Sequence, residues 1–93
     1  MTGKAYRSGN RLVMDLLAAI RDGGPVGVTR LLTVANLTHG RLQELLVSFE
    51  ARGWVVVEGD AERTRWRITE KGARVLADLR RVDGVLQDYG LGL

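Results

Sequence analysis

The sequence contains no cysteine and a single histidine among its 93 residues. Without cysteine there is neither a disulfide framework nor a cysteine–zinc site. His39 alone supplies too few ligands for a structural or catalytic zinc ion. No apolar run approaches the roughly 20 residues needed to span a bilayer. The opening segment MTGKAYRSGN carries some positive charge but no apolar block behind it. A signal peptide is therefore not expected, and the cytoplasm is the simplest location. GGPVG lacks the lysine and the preceding strand of a phosphate-binding loop. Asp60 and Glu62 form the nearest thing to a carboxylate pair, but a solvated turn offers nothing to make one an acid and the other a base. Ser8 and Ser48 have no histidine nearby in the chain. These absences argue against an enzyme, and no catalytic, metal-binding or cofactor-binding residues are expected.

What remains is one domain near the lower size limit for folding on a single core. The hydrophobic fraction of 45% is that of an ordinary globular chain. A net charge of +3 permits an anionic partner without demanding one. The distribution of that charge is more informative. Lys4, Arg7 and Arg11 crowd the N-terminus, and RTRWR packs Arg63, Arg65 and Arg67 into one short segment. Asp78, Asp83 and Asp88 are spaced along the tail.

Periodicity predicts a first helix with Leu12, Val13, Leu16, Leu17 and Ile20 on one face, capped by Ser8 or Asn10 and stopped by DGGP at Asp22–Pro25. Val26–Val28 has the makings of a very short strand. A short second helix turns Leu31, Leu32 and Ala35 inward and Arg30 outward. Asn36 suits the left-handed end of that helix, and Leu37 suits a plug between two helices. Thr38 is a good cap for a third helix, in which Leu42, Leu45, Leu46 and Phe49 share a face. Gly53 closes it. WVVVE and RTRWRI, joined by GDAE, read as a hairpin with Trp66 and Ile68 on the apolar face. Thr69 caps a last helix running to Tyr89, with Glu70 in the dipole-favoured first turn.

The order helix, helix, helix, strand, strand, helix resembles a winged helix-turn-helix. ANLTHGRL (Ala35–Leu42) looks like the turn and recognition-helix start of small archaeal winged-helix regulators. ARGWV (Ala51–Val55) resembles their step from recognition helix into wing. WRITEKG (Trp66–Gly72) is similar to the wing-to-last-helix junction of PadR-like and MarR-like proteins. The resemblance implies a mainly α fold with a small antiparallel hairpin that binds double-stranded DNA, commonly as a dimer held by the terminal helices. Residues 1–9 would be a basic arm, 10–69 the winged helix-turn-helix body and 70–93 a dimerisation helix.

On that expectation Thr38, His39, Gly40, Arg41 and Gln43 lie at the mouth of the recognition helix and meet the major groove. Arg41 can contact guanine bidentately, although a salt bridge to Glu44 is the plainer use for it. Gly40 would let the helix end approach closely. Arg63 and Arg65 in the wing, with Lys4 and Arg7 of the arm, would meet phosphates. Val75, Leu79, Val82, Leu86 and Tyr89 alternate steps of four and three, a heptad-like seam fit for a homodimer. The wing tip EGDAE is acidic where a phosphate-binding tip would be basic. That leaves a winged-helix protein-interaction module, or a nucleoid-type architectural DNA-binding protein, as alternatives to a transcriptional regulator.

Overall fold

The computed structural model describes residues 9–60 and 62–93. Lys4, Arg7 and the proposed cap Ser8 lie outside the described residues. Helix α1 spans Gly9–Gly23, α2 Val28–Ala35, α3 His39–Ala51 and α4 Glu70–Gln87. Between α3 and α4, strands β1 (Val55–Glu58) and β2 (Arg65–Ile68) pair antiparallel, Val55 opposite Ile68 and Glu58 opposite Arg65. This is a mainly helical winged helix with a C-terminal helix.

Local chemistry sets most boundaries. Asn36 ends α2 at φ 55°, ψ 49°, and its N–H donates to the Leu32 carbonyl. Two residues later the Thr38 hydroxyl accepts from the Arg41 N–H at 3.1 Å and so starts α3. Gly53, at φ +78°, follows the Arg52 C-cap and turns the chain into the hairpin. The Thr69 hydroxyl does two jobs at the last junction. It accepts from the Gly72 N–H at 3.0 Å, capping α4, and donates to the Gly53 carbonyl at 2.6 Å. A Cβ at position 72 would run into the Trp54 carbonyl, so the last letter of TEKG is fixed by close approach of α4 to the start of the wing.

Three expectations need correction. Asn10 lies inside α1, which begins at Gly9, and therefore is not its cap. The segment Val26–Val28 contributes one residue to the sheet: Val26 forms an antiparallel bridge with Trp66, N–H to carbonyl at 2.9 and 2.8 Å, while Val28 already begins α2. The last helix stops at Gln87 rather than Tyr89. Gly90 takes φ +75°, and the Gly90 and Leu91 N–H groups close back on the Gln87 and Leu86 carbonyls.

The core joins Leu16, Leu17 and Ile20 of α1 to Leu31 of α2, Leu42, Leu46 and Phe49 of α3, Val55 and Trp66 of the hairpin and Leu76 of α4. Each is nearly or fully buried. Truncating a leucine such as Leu42 to alanine in a site like this costs about 2–5 kcal/mol, which is a large part of what a domain this size has. Leu37 packs partly buried against the same cluster, as its place in the turn demands. Because Leu42, Leu46 and Phe49 of α3 are buried in this core, with Leu45 partly buried beside them, its opposite face is fixed outward, and that face is where the candidate site lies.

Candidate nucleic-acid interface

At the mouth of α3, Thr38, His39, Gly40 and Arg41 are all exposed. The first amides of any helix lack intrahelical acceptors, and here the Thr38 side chain satisfies one of them. Arg41 reaches across one turn to Glu44, Nη1 to Oε1 3.3 Å, with both side chains largely in solvent. An exposed i,i+3 pair of this kind holds by about 0.5 kcal/mol at most, so it does not fix Arg41 against a stronger partner.

One turn further on, Gln43 faces the wing. It lines an open groove of about 530 Å³ together with Gly27, Val28 and Thr29 at the start of α2 and Glu62, Arg63, Thr64, Arg65 and Trp66 of the hairpin. Helix α2 has Gly27 as its N-cap, which offers no side-chain cap, and Gly27, Val28 and Thr29 at that end line this groove. The fold therefore brings Gln43 together with Arg63 and Arg65, from two separate stretches of sequence. Lys4 and Arg7 cannot be placed beside them, being outside the described residues.

The three wing arginines are not equivalent. Arg67 is bound to Glu58 across the hairpin by two contacts, at 2.6 and 3.3 Å. This ion pair holds the Glu58 carboxyl below its usual range and raises Arg67, hydrogen bonding being the larger cause in both. Arg63 and Arg65 are exposed and have no acidic partner among the described residues. Asp60, which makes the wing tip look acidic in sequence, is occupied in building it. Its Oδ1 accepts from the Glu62 and Arg63 N–H groups at 3.0 and 2.9 Å, an Asx turn.

Among the described residues no helix is long and apolar enough to cross a membrane, and no group of three or more histidines and acids could hold a metal ion. The sequence matches the profile of the winged helix-turn-helix family over residues 6–87. The chain belongs to the winged helix-turn-helix family. Two solved structures share its fold. Sso10a-2, a DNA-binding protein from Sulfolobus solfataricus, superposes with a TM-score of 0.79 at 19% identity, over 89% of this chain and 85% of that one. BpsR of Bordetella bronchiseptica, whose DNA binding is regulated by 6-hydroxynicotinic acid, gives 0.75 at 15% identity, over 87% of this chain and 62% of that one. Comparison with curated protein sequences gives no match.

One residue on the outer stripe of α3, Val47, was not singled out from the sequence. Glu44 and Val47 stand on the same face as Gly40, opposite Leu42, Leu46 and Phe49, at spacings of four and seven. The signal was available in that spacing. Val47 is apolar, but the spacing that turns Leu42, Leu45, Leu46 and Phe49 inward leaves it off that face, and it is 63% exposed.

Proposed function

We propose that this winged helix-turn-helix protein binds double-stranded DNA as a transcriptional regulator, with the N-terminal end of α3 in the major groove and the wing on the phosphate backbone. The carrying observation is the shared groove. Gln43 of the recognition helix, the start of α2 with no side-chain cap, and the two wing arginines that have no acidic partner among the described residues line one space. A duplex laid there has phosphates near Arg63, Arg65 and the α2 amides while α3 addresses base edges. The fold family supports this reading, as do the DNA-binding functions of Sso10a-2 and BpsR. The interaction-module alternative drew on the acidic wing tip. With Asp60 turned to its own backbone and Glu58 held by Arg67, much of that acidity is internally committed.

The outer end of α4 supports a homodimer within this proposal. Val75 and Leu79 of the heptad-like seam pack partly buried against their own core, but Val82 is 43% exposed and Tyr89, just past the helix, 77%. Leu86 is half-buried, and Val85 and Leu91 add exposed apolar surface beside it. A second copy of the helix lying antiparallel covers these side chains. It would set two recognition helices at successive major grooves, about 34 Å apart on a palindromic site.

The test is binding of the full chain to duplex DNA across a salt series. Contacts from Arg41, Arg63, Arg65 and Lys4 predict that the logarithm of the binding constant falls with log salt at a slope of about −3 to −4 per protomer. No binding at about 50 mM salt, or binding indifferent to salt, returns the protein to the interaction-module reading. Competition by random duplex separates a regulator from an architectural protein, since only the regulator prefers one sequence.

A further inference from the structure

We infer that Val47 is a specificity-determining residue that reads the 5-methyl group of thymine in the major groove; the inference rests on the DNA-binding reading above. Opposite its buried leucines, α3 presents Gly40, Glu44, Val47 and Ala51 as one outward stripe, with Gln43 at its edge. No contact among the described residues explains why this stripe is built as it is. Val47 is 63% exposed, so folding leaves it largely without a packing partner. A β-branched residue in the middle of an exposed helix face is also a poorer helix former than the alanine, lysine or glutamine that would ordinarily stand there. A Cβ at Gly40 would meet open space, so packing does not require glycine there either.

The same stripe is unsuited to phosphates. It offers no cation, and at its middle stands the carboxylate of Glu44, 73% exposed and paired, among the described residues, with Arg41. From His39 to Ala51 the helix carries one arginine and two glutamates. An acidic, small-residue, valine-bearing ridge gains nothing from the backbone of a duplex but is suited to base edges. Glycine and alanine keep its profile low, so that it fits a groove about 12 Å wide, and the apolar group thymine displays in that groove is its methyl. Glu44 suits the same surface, because a carboxylate can accept from the amino group of cytosine. Phosphate binding thus belongs to the wing and base reading to the middle of α3.

The experiment begins with selection of duplexes from a random-sequence pool by the full chain. Each thymine of the enriched site is then replaced in turn by deoxyuridine, which removes the methyl alone. At one or two positions per half-site the wild-type protein should lose about fourfold in affinity, equivalent to ~0.8 kcal/mol at 1.4 kcal/mol per tenfold. Val47→Ala should bind thymine and deoxyuridine versions equally while melting no lower than the wild type, since an exposed alanine favours the helix. Equal wild-type affinity for every deoxyuridine duplex overturns the inference, as does discrimination retained in Val47→Ala or a selection that enriches no sequence. All three leave duplex binding itself standing. Absence of binding to any duplex at low salt removes the DNA reading, and this inference with it.

Discussion

Arg67 grips Glu58 across the hairpin with its Nε at 2.6 Å and its Nη2 at 3.3 Å, whereas Arg65, on the same strand, has no acidic partner among the described residues. The two arginines look alike in sequence and should behave differently with DNA. Arg65→Ala should weaken binding to all duplexes alike and lower the salt slope by about one. Arg67→Ala should leave the slope nearly unchanged, because its charge is already neutralised within the wing. Binding titrations of the two variants at several salt concentrations compare them directly. Equal changes in slope would mean that DNA displaces Glu58.

Gly40 sets stability against binding. It occupies the exposed first turn of α3 with no positive φ and no neighbour within reach of a Cβ. Gly40→Ala should therefore stabilise the protein, by up to about 1 kcal/mol, seen as a rise of several degrees in Tm. If the glycine serves close approach to the groove, the same variant should bind duplex DNA more weakly. A melt and a binding curve on one sample read both. A stabilised variant with unchanged affinity would show that the helix end stays clear of the groove.

The dimer proposal is best tested without shortening the chain. Ending it after Arg81 would remove Asp83, which ties α4 to α1 through Arg11 at 3.1 Å. Val82→Lys instead adds charge to a side chain already 43% exposed and leaves the body intact. Sedimentation should show the wild type as a dimer and the variant shifted toward monomer at the same concentration, with unchanged circular dichroism. A wild type that sediments as a monomer at all concentrations ends the proposal.

Legibility followed distance along the chain. Elements came from periodicity, and their ends from local chemistry at Asn36, Thr38, Gly53 and Thr69, because a cap and the helix it starts are neighbours in sequence. The groove joining Gln43 to Arg63 and Arg65 could only be anticipated through the family resemblance, since nothing local places them together. Pairings were harder still. Val26 reaches Trp66, Glu58 reaches Arg67, and Arg11 reaches Asp83. In sequence Asp83 is one more acid on a charged tail, level with Asp78 and Asp88. In the structure it is 7% exposed.

Asp83 gathers three donors. The Leu93 N–H donates to its Oδ1 at 2.7 Å, and Gln87 Nε2 and Arg11 Nη1 donate to its Oδ2 at 2.8 and 3.1 Å. The Leu93 amide is the largest influence holding its carboxyl below the usual aspartate range; burial acts the other way, and Gln87 and Arg11 reinforce the lowering. A carboxyl lowered in the folded state contributes stability above its unfolded value of about 3.9, and that contribution is lost as pH falls through the folded value. The contribution should accordingly be complete at neutral pH and fade below about pH 4. Asp83→Asn keeps the shape but puts an amide donor where Arg11 and Gln87 also donate. It should lower Tm at pH 7, and the gap to wild type should begin to narrow only below about pH 4, as pH falls toward the lowered value of the folded carboxyl. Exchange of the Leu93 amide should quicken in the variant at pH 7, because the acceptor that holds it has lost its charge. A Tm gap that stays constant down to pH 3 would show that shape, rather than charge, is what Asp83 supplies to the junction of α1, α4 and the C-terminal residues.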